Sequence, residues 1–442
     1  MALCSYCGVQ WFRSQLTRDA SQNLACPDCA PGLDIVSLTE GNARMMRSQA
    51  PRSVGPSDGN FDQFICPPSP GFVNPNGPPK IVPSSLGYVA TRLAVPDSSQ
   101  ANTQPWMVRT GHIATDSMSL IRLAWANWYA HEQIPGANML TLTASVEYPA
   151  GVFTRVKFRG GETGSASAGS TLWSDDLPVN IPLGARFWTR AFFRNSSNLL
   201  ALGPSLCNAL FGDAIVQNGT DQTMGGTIVS NANFLMPPCA IVGATSKRSV
   251  VIIGDSRTAG VGDNFQAANG GWGEMRSGLA QYAGVNCGIS GTSAAQYLAS
   301  AGPLRAELIG YCTDVVDAYG VNDIFVFGRS NAQLKADQAA IRALYPTKRF
   351  FVTTLDPETT STDNWATLVN QTPRAQEAVR VAYNTDVRAN ALGSTGFFEC
   401  AAVSESSLNS GLFKVDGTAF KYTADGTHQS SFCYRLYSFA LP

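Results

Sequence analysis

The chain has 442 residues, a formal net charge of −1 at pH 7 and 14% charged residues, against about 25% in an average soluble domain. Its 44% of hydrophobic residues can fill cores for about two to four domains, which excludes wholesale disorder. The balanced charge offers no global attraction to nucleic acid or an anionic membrane, and no apolar run reaches the roughly 18 residues that span a bilayer.

Met1-Ala2-Leu3-Cys4-Ser5-Tyr6-Cys7 lacks the basic patch and apolar stretch of a signal peptide. The expectation is a chain made in the cytoplasm that reaches any outer location by another route. Cys4-x2-Cys7 and Cys26-x2-Cys29, separated by eighteen residues, are spaced as four thiolates around one tetrahedral Zn²⁺. A segment of about 30 residues buries too little apolar surface to fold unaided, so the ion would supply the folding free energy. With every coordination position taken by a thiolate, that ion is structural. The rival readings are two disulfides, which a cytoplasmic start disfavours, and a redox CxxC, which lacks a surrounding βαβ pattern. A zinc ribbon is therefore expected over residues 1–32. The seven cysteines from Cys66 to Cys433 have no framework spacing and read as buried thiols.

Residues 33–84 form the next part. From Pro31 to Pro83, both included, the chain carries ten prolines, and proline denies both helix and central strand, so an extended arm is expected. Residues 85–246 alternate in polarity at 139–148, 152–158 and 187–193, with Gly-, Asn- and Ser-rich turns between. Short strands at this spacing predict a β-sandwich, jelly-roll-like in form. Trp106, Trp125, Trp128, Trp173 and Trp188 fall here. They read first as core filling and second as a platform for sugar rings.

From 247 to 442 strands alternate with helices. Ser249-Val250-Val251-Ile252-Ile253-Gly254 is a continuous apolar run suited to a central parallel strand. Further strands are expected at 314–319, 349–354 and 396–400, and helices at 331–344 and 374–390. This predicts a three-layer α/β domain with a parallel sheet. Ligands of such sheets bind at the carboxyl ends of the strands, where the reactive residue types collect. Gly254-Asp255-Ser256 follows the first strand, Gly288-Ile289-Ser290-Gly291 the second, and Gly320-Val321-Asn322-Asp323 the third. Asp425-Gly426-Thr427-His428 precedes the last helical stretch. A serine, an imidazole base, a carboxylate to orient it and donors for an oxyanion are all present. The plainer readings make Ser256 a helix cap and Asn322 a turn residue.

Over about residues 248–442 the chain resembles the SGNH, or GDSL, hydrolase family. Gly254-Asp255-Ser256 with Thr258, then Gly291, then Gly320-Val321-Asn322-Asp323, then Asp425-Gly426-Thr427-His428 match its four blocks in order. The resemblance implies a flavodoxin-like fold and ester hydrolysis, with Ser256 as nucleophile, His428 as base and Asp425 as its orienting carboxylate. It implies an oxyanion hole from the Ser256 and Gly291 N–H groups and the Asn322 side chain. Arg257 departs from the pattern, and either biases the site toward an acidic substrate or points to solvent.

The expected function is a serine esterase that removes acetyl or short acyl groups from a surface polysaccharide. A metal-closed knob, a proline-rich arm, a sandwich and no export signal look like a part of a bacteriophage virion. The expected partners are the acylated polysaccharide and other virion proteins, in an oligomer on the particle surface. The alternative is a structural decoration, fibre or adaptor protein whose hydrolase domain serves host-surface binding. A zinc-ribbon nucleic-acid binder is disfavoured by the charge balance.

Overall fold

The computed structural model describes residues 85–442 except 97, 102–104, 129–138, 195–198, 203–206, 233–234, 264–269, 276–277, 438, 440 and 442, plus five short strands within the first 36 residues. The chain forms two compact units, Met1–Pro83 and Ser84–Pro442. In the first, Ala2–Leu3 pairs antiparallel with Gln10–Trp11, and Thr17–Asp19 pairs with both Leu24–Ala25 and Ile35–Val36. In sequence, Cys4 and Cys7 fall between the first two strands, and Cys26 and Cys29 between Leu24–Ala25 and Ile35–Val36. Ile35–Val36, expected at the start of the extended arm, is instead a strand on Thr17–Asp19, while the four cysteines, Cys66 and the arm from residue 37 on lie outside the described residues.

The second unit opens with two antiparallel sheets. One carries Thr171–Trp173, Met118–Ala126, Ala240–Thr245 and Ser85–Tyr88 in that order, with Leu177–Ile181 also on Met118–Ala126. The other carries Phe153–Arg155, Leu140–Glu147, Arg186–Phe193, Trp106–Ile113 and Ala214–Gln217, with Thr163–Ala166 also on Leu140–Glu147. Leu140, Leu142, Ala144 and Val146 alternate into the shared core, as the period of two requires. The intervening Thr143, Ser145 and Glu147 are buried as well, because residues 221–226 cover their face. Thr143 donates to Asp221 (2.7 Å), Ser145 to the Thr223 carbonyl, and Arg190 bridges Glu147 (2.8 Å) to the Gln222 carbonyl (2.9 Å).

The tryptophans follow the core-filling reading. Trp106, Trp125 and Trp128 are buried. The half-buried pair is occupied by neighbours: Trp188 lies under the Arg109 guanidinium and donates to the Phe211 carbonyl, and Trp173 donates to Glu307. Of the seven scattered cysteines six are described, and five of these, Cys239, Cys287, Cys312, Cys400 and Cys433, are buried thiols.

The remaining layer is an entirely parallel sheet, ordered Gly396–Phe398, Arg349–Thr353, Asp314–Asp317, Ser249–Gly254, Ala283–Gly288, Leu93–Ala94. Numbering its five main strands along the chain gives the order 5-4-3-1-2, the doubly wound flavodoxin order. All six residues of Ser249–Gly254 are buried, as expected of a continuous apolar run at the sheet's centre. Asn331–Ala343 and Glu377–Arg388 are helices close to their expected spans, the first opened by a Ser330/Gln333 capping box.

Leu93–Ala94 comes from the stretch expected to belong wholly to the sandwich, yet it adds an edge strand to the parallel sheet. Core residues of both layers form one cluster that runs from Tyr88 through Val251 and Ile253 to Val387. The expected division at 246/247 therefore lies inside one unit with a continuous core. Among the described residues no helix is long and apolar enough to cross a membrane.

Candidate active site

Ser249–Gly254 delivers the chain to Asp255-Ser256 at the strand's carboxyl end, where the connection turns into a short helix, Ser256–Ala259. Asp255, not Ser256, caps that helix: its carboxylate accepts the Arg257 N–H at 3.0 Å. The Ser256 hydroxyl is left for another partner. It donates to His428 Nε2 at 2.8 Å. The other ring nitrogen, Nδ1, donates to Asp425 Oδ2 at 2.7 Å, which fixes the tautomer that leaves Nε2 as the acceptor.

Asp425 is held by its own turn. Its Oδ1 accepts the backbone N–H of Thr427 at 2.9 Å and of His428 at 2.7 Å. Gly426 sits in the left-handed region (φ +80°), and a Cβ there would lie 2.0 Å from the Thr359 carbonyl oxygen, so only glycine fits this turn. Partial burial works against ionisation of Asp425, but the hydrogen bonds from the His428 ring, the His428 N–H and the Thr427 N–H hold the carboxyl well below the usual carboxylate range. Serine hydroxyl, imidazole and carboxylate thus form a chain able to pass a proton from Oγ to Nε2.

The strands on either side of the first bring two further loops. Gly291 follows Ala283–Gly288 at φ +78°, and among the described residues its N–H has no acceptor. Asn322 follows Asp314–Asp317, inside the helix Val321–Phe325, so it is a helical residue and not a turn residue. Its Nδ2 donates to the Thr292 carbonyl at 2.9 Å, tying it to the loop that carries Gly291. The amide has a second N–H to offer. Ser256 and Asn322 stand at the ends of the first and third strands, the switch point where such a sheet opens a crevice.

The ground beneath is acidic and buried. Burial pushes Asp255 up to about 6, against the pull of Arg257, and Glu274 up to about 8, with Asp255 adding to the effect. Asp323 is pushed up to about 7 by burial although it accepts the Ala294 N–H. Thr258 donates to Glu274 and is fully buried, so it braces the nucleophile loop from below.

Arg257 follows neither expectation. It is 3% exposed, so it does not point to solvent, and its guanidinium is taken up by acceptors of the protein itself. Its guanidinium donates to the carbonyls of Thr427 (2.9 Å), Pro357 (3.1 Å) and Asp356 (3.4 Å) and to Glu358 (3.1 Å). Burial disfavours its charge, but Glu358, Asp356 and Asp255 outweigh that and raise it above the ordinary arginine value. Glu358 and Asp356 were not singled out from sequence. Their signal is two acids placed just past the carboxyl end of Arg349–Thr353, where an α/β sheet puts its working residues.

No protein-family model matches the chain, and no curated protein matches it. Several solved structures resemble it. A GDSL-like lipase from Bacteroides thetaiotaomicron is 19% identical over 42% of this chain and 82% of its own, with a TM-score of 0.29. A carbohydrate acetylesterase from Sinorhizobium meliloti is 15% identical over 42% and 93%, with a TM-score of 0.28. A family two carbohydrate esterase from Clostridium thermocellum, solved with cellohexaose, is 14% identical over 79% and 94%, with a TM-score of 0.30. Likeness at this level assigns no activity to the chain.

Proposed function

We propose that this protein is a serine ester hydrolase of the SGNH type. The observation that carries the reading is the hydrogen-bonded chain from Ser256 Oγ through both nitrogens of His428 to Asp425. Ser256 Oγ would attack the ester carbonyl carbon while His428 Nε2 takes its proton. The oxyanion would form against the Ser256 and Gly291 N–H groups and the Asn322 amide. Collapse of the tetrahedral adduct breaks the bond to the alcohol, which leaves with the proton from His428. Water then repeats the sequence on the acyl-enzyme and releases the acid. Asp425, ionised and pinned by three hydrogen bonds, would keep the imidazole oriented and stabilise its charged form.

The substrate we propose is an acetyl or short-acyl ester on a surface polysaccharide. The further proposal is that Cys4, Cys7, Cys26 and Cys29 hold one structural Zn²⁺ and that this knob and the proline-rich arm mount the enzyme on a virus particle. The cysteine spacing and the short paired strands that flank both CxxC motifs in sequence support the metal. Turnover of p-nitrophenyl acetate, measured beside a panel of acylated polysaccharides, tests activity and selectivity together. Hydrolysis of none of them would refute the esterase.

A further inference from the structure

We propose that Arg257, Glu358 and Thr427 form a clamp that sets the position of His428 against Ser256; the inference rests on the esterase reading above. Arg257 is covalently next to Ser256, and Thr427 is covalently next to His428. Arg257 Nε donates to the Thr427 carbonyl at 2.9 Å, and Nη2 donates to Glu358 Oε1 at 3.1 Å. The other oxygen of Glu358 accepts the Thr427 hydroxyl at 3.0 Å. The three residues close a ring, so neither loop shifts without breaking one of its bonds.

The far side of His428 is tied to the same support. Gln429 donates from Nε2 to Asp356 Oδ2 at 2.6 Å, and Tyr437 donates to Asp356 Oδ1 at 2.9 Å. Arg257 Nη1 meets that carboxylate at 3.8 Å and its carbonyl at 3.4 Å. Thr427 and Gln429, the two chain neighbours of His428, are thus both fastened to residues 356–358, and Arg257 fastens that segment to Ser256. A buried ion pair is a weak source of net stability, because desolvation consumes most of the Coulombic gain. What a planar guanidinium offers is fixed geometry at several acceptors at once. That is the property needed to hold a 2.8 Å contact between groups 172 residues apart in sequence. Arg257 and Glu358 are positioning residues, since they act through the loops and touch no reacting atom.

The test uses full-length protein in wild-type, Arg257→Lys, Glu358→Gln and Thr427→Val forms. Active sites are counted by exhaustive reaction with a fluorophosphonate, in which the Ser256 Oγ–P bond forms and fluoride leaves. kcat and KM for p-nitrophenyl acetate are then expressed per titrated site, and Tm is recorded. The clamp predicts that Arg257→Lys and Glu358→Gln lower kcat per titrated site by about 10- to 100-fold with KM within about twofold. Thr427→Val, which keeps the backbone carbonyl, loses about 3- to 10-fold. A merely structural role instead lowers Tm and the number of titratable sites while kcat per site stays at the wild-type value, and that result overturns the clamp. If Arg257→Lys does not fold, the other two variants decide. Wild-type protein that is neither phosphonylated nor active overturns the esterase reading itself, an outcome distinct from active wild type with unchanged variants.

Discussion

Replacing Asp425 by Asn probes the orientation of the imidazole through the smallest change of shape. Asp425 Oδ1 accepts two backbone N–H groups, from Thr427 and His428. An amide placed there must keep its oxygen facing those donors, so its NH₂ is forced into the place of Oδ2, opposite His428 Nδ1. Nδ1 then has to accept, the ring proton moves to Nε2, and Nε2 no longer takes a proton from Ser256. A buried aspartate in this role is worth about 10⁴ in kcat. Here the side chain is 52% exposed, so solvent screens part of its stabilisation of the imidazolium. The expected loss in kcat is therefore about 10²–10⁴, with KM little changed. Asp425→Ala should lose less than Asp425→Asn, because water replaces the carboxylate and leaves the tautomer free. Steady-state hydrolysis of p-nitrophenyl acetate per titrated site measures both. An Asn variant within threefold of wild type, or an Ala variant that is the worse of the two, refutes the reasoning.

Asn322→Ala should lower kcat by about 10²–10³, the loss for one oxyanion donor, and a change confined to KM would make Asn322 a ground-state contact. His112 is buried between the Thr91 carbonyl (2.8 Å) and Thr189 Oγ1 (3.0 Å), and burial lowers it to about 4 from 6.5. Below pH 6.5 the unfolded chain takes up a proton that the folded one refuses, so stability from this group falls between pH 6.5 and 4, by about 3 kcal/mol in all. The buried acids of the site titrate with the opposite sign, so the check is the difference in urea-unfolding free energy between wild type and His112→Gln. That difference should shrink toward pH 4, and a flat one contradicts the assignment. A chain starting at Ser84 should fold and hydrolyse esters without zinc, while the full chain carries one zinc ion; metal analysis and activity of the two forms, side by side, check this.

The central strands were legible because an apolar run such as Val250 to Ile253 has few other places to go in a soluble fold. Arg349–Thr353 and the two long helices were legible for similar reasons of run and period. Ala283–Gly288 carries a buried Asn286 and only short side chains, so its place was readable only through the glycine-rich turn after it. Leu93–Ala94 is two residues long, below any periodic signal, and its pairing with Val285 and Asn286 is a tertiary event. The serine, histidine and aspartate stood out because their residue types fell at strand ends in one order. Arg257 stood out only as a departure from that pattern, read as a bias toward an acidic substrate or as a solvent-directed charge, and its buried role was not legible. Its partners lie 99 to 170 residues further along the chain, and local pattern carries no record of them.

In the proposed mechanism Ser256 is made nucleophilic by His428. The most direct measurement is p-nitrophenyl acetate hydrolysis by wild type and by Ser256→Ala, with mass spectrometry of the acylated wild-type enzyme. Wild type should turn over with an acyl group on the Ser256 peptide, and a Ser256→Ala protein of unchanged Tm should show background rate and no adduct. Turnover retained by Ser256→Ala, or an adduct on any other residue, would contradict that mechanism.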